Sequence, residues 1–176
     1  MLILAIDPGI SGALALYNPD VDFLHTEPLP VRWRMVNKQK KTEIDLEALF
    51  QWIAGRRDRI TNAILEKPTA MPGAGATSQF NFGMTCGQIE GLLLGCELTL
   101  RTVHPAAWKT AMDVPSDKRR SKGRAVNFFP SHAAKLQAAT EGECEAAMIA
   151  LYGATGTVKP VKTTTGKAPR NKKKKK

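Results

Sequence analysis

Short apolar runs in the first third of the chain are typical of buried strands. LILAI (residues 2–6) and ALALYN (residues 13–18) flank the turn DPGISG, and VDFLHTE (residues 21–27) follows with a weaker pattern. We expect these three strands to form an antiparallel meander. Two further strands are predicted at NAILE (residues 62–66) and near residues 97–103.

Helices are predicted where apolar residues recur every three or four positions. The first is expected to end near Gly55 and to turn its apolar positions inward, at Leu46, Leu49, Phe50 and Ile53. A second, over residues 79–95, has its apolar positions at Met84, Ile89, Leu92 and Leu93. A Lys- and Arg-rich helix follows Ser116, and a final helix begins after Thr140 and stops at Gly153.

Two segments carry neither pattern. Residues 28–42 are rich in proline and then in basic residues, and we expect a mobile loop or a ribbon there. Residues 67–79 carry two prolines and two glycines, which is typical of a long loop kept for function. Strands in a meander, followed by strands that alternate with helices, predict an α/β fold: a mixed five-stranded sheet with helices on both faces.

Length and composition place the chain among globular proteins with a single core. It has 176 residues, of which 43% are apolar and 24% charged, and its apolar runs fall short of the roughly 18 residues of a membrane span. No basic stretch precedes Asp7, so no secretory signal is expected. Three cysteines without C-x-x-C spacing favour buried free thiols and a cytoplasmic setting. We expect no membrane partner and no small-molecule cofactor.

The formal charge of +10 is concentrated at the C-terminal end. Residues 159–176 hold nine basic residues and no acid, so residues 1–158 carry a net charge of only +1. The polar, repetitive composition of residues 159–176 predicts a disordered tail behind one domain over residues 1–158. The tail is either a solubilising or vector-derived segment, or an arm that binds phosphates nonspecifically.

Two carboxylates stand at the ends of predicted strands. Asp7 follows the first strand at a glycine-flanked turn, and Glu66 ends NAILE. Burying a lone carboxylate costs desolvation free energy, and a metal ion offsets that cost. Each carboxylate could instead pair with a cation such as Lys67 or cap a nearby helix.

Three further acids open the final helix. Glu141 and Glu145 are four residues apart and share one helix face, whereas Glu143 points elsewhere. Thr140 and Glu143 form a capping-box pattern, which gives Glu143 a structural role and also offers a local explanation for Glu141. Glu145 lies one turn deeper, where capping does not account for it, and is the stronger candidate for a metal ligand.

These carboxylates supply only oxygen ligands, with no convergent histidine or cysteine. Such a set favours a hard cation, Mg²⁺ with Mn²⁺ as a substitute. Two ions, roughly 3.5–4 Å apart, can activate a water and stabilise the leaving oxygen in phosphodiester hydrolysis. The candidate ligands are Asp7, Glu66, Glu141 and Glu145.

Three motifs, in this order and spacing, resemble the RuvC family of Holliday junction resolvases, in its phage-type branch: IDPGISGALAL, ILEKP and the acidic start of EAAMIALYG. CGQIEGLLLG, HPAAWK and SDKRR support the resemblance, which spans residues 2 to about 153. It implies an RNase H-like fold, a homodimer, and Mg²⁺-dependent paired nicks in a four-way DNA junction during recombination or repair. It also implies a nucleoid-associated enzyme in the cytoplasm of a bacterial or phage-infected cell.

By motif, the resemblance assigns Asp7, Glu66 and Glu145 as ligands of a site with two ions. The family also carries an acid or histidine three residues before its last carboxylate. Here that position is Gly142, which leaves Glu141 as the substitute ligand.

Basic and aromatic residues complete the DNA contacts that the resemblance implies. Lys109 and Lys118 match lysines that approach the scissile phosphate. The cationic segment around them either tracks phosphates or forms a solvated helix face, and its candidates are Lys109, Lys118, Arg119, Arg120, Lys122 and Arg124. The family separates bases with an apolar side chain after the second acid, for which Met71, Phe80 and Phe82 are candidates unless the two phenylalanines pack in the core. We interpret Trp108 as a core residue.

Two other functions stay open at this point. A nuclease of the same fold could act on another nucleic acid, such as single strands or RNA–DNA hybrids, because a fold does not fix the substrate. The irregular fourth ligand also allows a catalytically inactive module that binds junctions. The helix over residues 79–95 is the expected dimer interface, with Leu92 and Leu93 at the contact.

Overall fold

The computed structural model describes residues 1–67, 73, 75–114 and 118–155, and for residues 118–120 it describes the backbone only. Within these ranges the chain forms seven strands: β1 (Leu2–Ile6), β2 (Ala13–Asn18), β3 (Phe23–Pro28), β4 (Val31–Val36), β5 (Gln39–Ile44), β6 (Ile60–Glu66) and β7 (Leu100–Val103). It also forms six α-helices there: α1 (Leu46–Ala54), α2 (Ala76–Gly95), α3 (Pro105–Ala111), α4 (Lys118–Phe128), α5 (Ala133–Ala138) and α6 (Glu141–Ala154). The predicted tail, Ser116 and residues 68–72 of the predicted loop lie outside the described residues.

The strand β1 lies at the centre of a five-stranded sheet of order β3-β2-β1-β6-β7. It pairs antiparallel with β2 and parallel with β6; β2 pairs antiparallel with β3, and β6 pairs parallel with β7. The predicted meander and the mixed five-stranded sheet are therefore confirmed. Strands β1 and β2 coincide with the predicted runs, whereas β7 begins only at Leu100.

The alternation of side chains along the strands divides the core between the two faces of the sheet. Ile3, Ala5 and Ile64 pack on one face with apolar residues of α3, α4, α5 and α6. Leu4 and Ile6 pack on the other face with apolar residues of α1 and α2. The sheet is thus buried between two helical layers, which confirms the prediction of helices on both faces.

Helix α1 packs on the sheet with a narrower set of residues than predicted. Leu49 and Ile53, one turn apart, are fully buried against the sheet. Phe50 is 43% exposed, so its predicted inward position is wrong. The reason is that successive helical residues point about 100° apart, and the stripe centred on Leu49 and Ile53 leaves Phe50 at the edge.

Helix α2 begins at Ala76, three residues earlier than expected. Leu93 is fully buried in the core and Leu92 packs against the same cluster, so the expectation that both meet a partner is wrong. Met84, another of the predicted apolar positions, is 44% exposed. The residues exposed on the outer face of α2 therefore differ from Leu92 and Leu93, which the apolar pattern indicated for the dimer contact.

The short helices α3 and α5 were not expected from the pattern. They have seven and six residues, which is fewer than two full turns, and so carry too little periodicity to be recognised. Helices α4 and α6 lie where the sequence places them, and Thr140 is the N-cap of α6 as predicted.

Residues 28–42 lead into a ribbon, one of the two alternatives that the sequence leaves open. Strands β4 and β5 pair in a separate two-stranded sheet. Asn37 and Lys38 at its tip have φ values of 50° and 62°. Two consecutive residues with positive φ are what a tight two-residue hairpin turn requires.

Two expectations from composition can be compared with the structure directly. Cys86, Cys96 and Cys144 are buried and free, as expected. Among the described helices, none is both long enough and apolar enough to cross a bilayer.

Candidate active site

Asp7 and Glu66 reach the same edge of the sheet, at the carboxyl ends of the parallel strands β1 and β6. Ile6 pairs with Leu65, so the next residue on each strand is the carboxylate. Glu66 continues the alternation of Ile64 and lies on the face that α6 covers. Only 7% of Glu66 is exposed. The fold therefore brings together the two acids that the sequence placed at strand ends.

The turn after β1 fixes the position of Asp7. The Asp7 backbone N–H donates to the Ala13 carbonyl at 2.9 Å, and the Gly12 N–H donates to the Gly9 carbonyl at 2.8 Å. A Cβ on Gly12 would lie 2.1 Å from the Asp7 carbonyl oxygen, which no side chain can tolerate. The glycine is thus required for a turn tight enough to hold Asp7 at the sheet edge.

The capping box at the start of α6 is confirmed. The Glu143 backbone N–H donates to Thr140 Oγ1, and the Thr140 N–H donates to Glu143 Oε2 at 2.9 Å. Thr26 of β3 also donates to Glu143 Oε1, at 3.1 Å. Glu143 is therefore structural, as predicted, and joins the helix start to the sheet.

Glu145 and Glu66 are each held by a donor from α3. Lys109 Nζ donates to Glu145 Oε1 at 2.9 Å, and Trp108 Nε1 donates to Glu66 Oε1 at 2.7 Å. Trp108 is fully buried, so its contact with Glu66 is shielded from water, whereas the contact of Lys109 with Glu145 is partly buried. The two consecutive residues of one short helix thus support two carboxylates on different elements.

The role of Trp108 was missed by sequence reasoning, which interpreted it as a core residue alone. A buried indole N–H needs a hydrogen-bond acceptor. A tryptophan in an apolar segment, in a chain that also buries a lone acid, is therefore a usable signal that the two side chains pair. The pairing itself depends on the packing of α3, which the sequence pattern did not reveal.

The charges around Glu66 change its protonation equilibrium. Burial raises the pKa of the Glu66 carboxyl to about 7, against the opposing hydrogen bond from Trp108. The negative charges of Asp7 and Glu145 raise this pKa further, and the ammonium group of Lys109 lowers it. These four groups are therefore close enough to interact through a site of low polarity.

Asp7, Glu141 and Glu145 line one cleft of about 380 Å³ between the turn after β1, the start of β4 and the start of α6. Glu141 is exposed at the helix start. The cleft is lined by Asp7, Ile10, Ser11, Gly12, Pro28, Leu29, Val31, Thr140, Glu141, Gly142 and Glu145. Glu66 is not among these residues and is coupled to the cleft through its interactions with Asp7 and Glu145.

The candidate ligands fit a hard cation by their chemistry, because every donor is a carboxylate oxygen. In the described part of the chain, no three His, Cys, Asp or Glu side chains are arranged as a ready metal site. Lys109 and Trp108 each occupy one oxygen of a carboxylate, which leaves the second oxygen of Glu145 and of Glu66 as an available acceptor. Asp7, Glu66 and Glu145, with Glu141, are thus the residues that would hold an ion.

The predicted DNA-contacting residues are distributed over α2, α3, which carries Lys109, and α4. Phe80 is 70% exposed and Phe82 is half-buried. Lys122 Nζ donates to the Ala139 carbonyl at 2.8 Å, and Arg124 donates to Asp113 at 2.9 Å. The side chains of Lys118, Arg119 and Arg120 lie outside the described part of the structure.

No protein-family model matches the chain, and no curated protein matches it in sequence. Among solved structures, *T. thermophilus* RuvC in complex with a Holliday junction substrate has a TM-score of 0.60 at 15% identity, covering 92% of this chain and 99% of that one. The chain has the fold of RuvC. This confirms the predicted RNase H-like architecture.

Two further solved structures are similar to the chain over most of its length. A second *Thermus thermophilus* RuvC structure has a TM-score of 0.48 at 16% identity and covers 92% of this chain and 100% of that one. A fowlpox virus resolvase in complex with Holliday junction DNA has a TM-score of 0.43 at 15% identity and covers 90% and 100%.

Gly142 stands in this RuvC-like fold where the motif leads one to expect an acid. A Cβ on Gly142 would lie 2.5 Å from the Ser11 carbonyl oxygen and 3.2 Å from Gly12 Cα. The start of α6 therefore packs directly on the turn that holds Asp7, and there is no room for a side chain. One residue earlier, the carboxylate of Glu141 is exposed and lines the cleft, so it takes the place of an acid at position 142.

Gly142→Ala is expected to lower the free energy of unfolding by about 1–3 kcal/mol, because the added methyl group presses on the Ser11 carbonyl. Gly123→Ala in α4 is the matched control, since a Cβ there meets nothing within 4 Å. The control is expected to stabilise the chain by about 0.5–1 kcal/mol. Urea unfolding measures both, and stabilisation by both variants would contradict the close approach.

Glu66→Gln is expected to stabilise the metal-free chain at pH 8 by up to about 3 kcal/mol. The pKa of Glu66 in the folded chain, about 7, lies above the ordinary glutamate value of 4.5, so the wild type loses stability as the pH rises from 4.5 through 7. The variant lacks this loss and keeps an oxygen acceptor for Trp108. In chemical unfolding, the difference in the free energy of unfolding between the variant and the wild type should vanish near pH 4.5. Equal free energies of unfolding at every pH would contradict a raised pKa of Glu66.

Proposed function

We propose that the protein is a structure-selective DNA endonuclease that hydrolyses phosphodiesters in branched DNA, with the four-way junction as its substrate. The observation that carries this proposal is the convergence of Asp7, Glu141 and Glu145 on one cleft, with Glu66 close enough to interact with the charges of Asp7 and Glu145. The *T. thermophilus* RuvC whose fold the chain shares is bound to a Holliday junction substrate, which supports the choice of DNA.

Two Mg²⁺ ions, or Mn²⁺ in their place, are the proposed cofactor, held by Asp7, Glu66 and Glu145 with Glu141 as the fourth ligand. Bound divalent ions lower the pKa of a water and stabilise negative charge that develops on a phosphate. Burial, and then the negative charges of Asp7 and Glu145, raise the pKa of Glu66, and cations in the cleft would offset both effects.

Lys109 is the proposed phosphate-stabilising residue. Its ammonium group lies 2.9 Å from Glu145 at the wall of the site, and 24% of its side chain is exposed. It neutralises Glu145 in the structure and can turn to a phosphate oxygen without leaving the site. Lys118 is proposed for the same role from the start of α4.

The surface of α4 is proposed to track the phosphate backbone beside the cleft, because α4 packs on α6, which carries Glu145. Its candidate residues are Lys118, Arg119, Arg120, Lys122 and Arg124. Phe80, which is 70% exposed, is proposed to contact unstacked bases, and half-buried Phe82 to support it.

A homodimer is proposed through the outer face of α2. Met84 and Leu94 are exposed there by 44% and 56%, so this surface helix carries apolar side chains without a partner among the described residues. Four glycines recur every four residues on the same side, and a Cβ on any of them would meet no atom of the described residues within 4 Å: Gly83, Gly87, Gly91 and Gly95. A symmetric contact on this face would pair two active sites for two cuts.

Asp7→Asn is expected to reduce nicking of a labelled four-way junction at least about a hundredfold in Mg²⁺ or Mn²⁺ while junction binding is retained. Asp58→Asn, an exposed change of the same chemistry at the opposite edge of the sheet, is the control and should nick normally. Hairpin, flap and RNA–DNA hybrid substrates, assayed in parallel, measure selectivity.

Undiminished nicking by Asp7→Asn would contradict the assignment of the cleft. A wild-type chain that binds junctions but nicks nothing in either metal would instead support an inactive junction-binding module. A clear preference for the hybrid would support a nuclease of the same fold with another substrate.

Leu94→Glu is expected to convert the dimer to a monomer in sedimentation velocity, since it places a charge on the exposed apolar face of α2. Val21→Glu, at a residue that is 70% exposed elsewhere on the surface, is the matched control and should sediment as the wild type. A monomeric wild type, or a dimer that survives Leu94→Glu, would contradict this interface.

A further inference from the structure

The hairpin of β4 and β5 concentrates positive charge. Residues 31–44 hold five basic residues and one acid, so their net charge is +4. The remainder of residues 1–158 has a net charge of −3. A polyanion that approaches this part of the chain is therefore attracted to the hairpin, whereas much of the remaining surface repels it.

The hairpin is fastened to the turn that carries Asp7. The Leu29 N–H, just before β4, donates to the Gly12 carbonyl at 3.1 Å. Leu29 and Ile44, at the two ends of the hairpin, are buried in the same core cluster as β1. A two-stranded ribbon is marginal by itself, so these anchors give it a defined position beside the carboxylate cleft.

The register sorts the side chains of the hairpin onto two faces. Arg32, Arg34, Lys41 and Glu43 share one face, because Arg32 lies opposite Glu43 and Arg34 opposite Lys41. Glu43 accepts from Arg32 Nε at 3.0 Å and from Arg34 Nε at 2.7 Å. Each guanidinium keeps four other N–H donors, so this ion pair orients the arginines without using up their capacity.

The opposite face of the hairpin is apolar and exposed. Val31, Trp33 and Met35 are exposed by 47%, 60% and 60%. Lys40 Nζ lies 4.8 Å from the centre of the Trp33 ring. Cations interleaved with an exposed aromatic ring are the combination that nucleic-acid-binding surfaces use for phosphates and bases.

The charged face forms one wall of a groove of about 360 Å³. Arg34 and Lys41 line this wall, and Asn81 and Phe82 of α2 line the other. Ile10, in the turn after Asp7, lines both this groove and the carboxylate cleft. The groove and the cleft therefore adjoin each other at this turn.

We propose that the hairpin is a nucleic-acid-binding arm, and that the groove between its charged face and α2 holds one DNA strand by its phosphates where that strand meets the carboxylate cleft. The inference rests on the proposed function for the identity of the polyanion. It adds a binding surface, made by Arg34 and Lys41, that lies apart from the basic residues of α4.

The test compares binding of a fluorescent four-way junction by full-length variants across a salt series in EDTA. Arg34→Ala/Lys41→Ala is expected to reduce the slope of log K against log salt by about two, and the affinity by about tenfold per lost contact at 0.1 M salt. Arg57→Ala/Arg59→Ala, two exposed residues at the opposite edge of the sheet, removes the same charge and should leave the slope as in the wild type.

A second variant distinguishes the loss of phosphate contacts from damage to the hairpin. Lys40→Gln/Lys41→Gln leaves the ion pairs of Glu43 intact and, if Lys41 contacts a phosphate, reduces the slope by about one. Wild-type binding and nicking with unchanged slopes in both hairpin variants would overturn the arm while the proposed function stands. A wild-type chain without affinity for DNA would overturn both.

Discussion

Placing several carboxylates at one sheet edge costs electrostatic free energy, and the structure around the cleft is built to hold them despite that cost. Glu66 is 7% exposed and interacts with the charges of Asp7 and Glu145, which, together with burial, raises its pKa to about 7. Burial and like charges act in the same direction here, and only the Trp108 and Lys109 donors oppose them. A buried cluster of carboxylates of this kind favours the binding of cations.

The fold supplies that arrangement through parallel pairing and one close helix contact. The register of β1 and β6 brings Asp7 and Glu66 to the same edge, and the start of α6 packs so closely on the turn after β1 that position 142 must be glycine. Helix α3 then contributes both donors, one to each buried glutamate. The cleft is thus a product of packing between elements that are far apart in the chain.

The sequence predicted the parts of this fold that depend on local pattern. Strands β1 and β2, the capping box of Thr140 and Glu143, and the three acids at Asp7, Glu66 and Glu145 follow from periodicity and from the cost of burying charge. Features that depend on packing between elements did not follow. The exposed position of Phe50, the burial of Leu93 and the pairing of Trp108 with Glu66 are all decided by which neighbours a side chain meets, and no spacing rule encodes that.

The proposed metal site requires these carboxylates to bind cations as one unit. Calorimetric titration of the full chain with Mn²⁺ near pH 6, repeated in buffers of different ionisation enthalpy, tests it directly. The account predicts uptake of Mn²⁺ that releases protons, because Glu66 is largely protonated there, and that is strongly weakened in Glu145→Gln. Absence of uptake at millimolar Mn²⁺, or uptake that Glu145→Gln leaves unchanged, would contradict it.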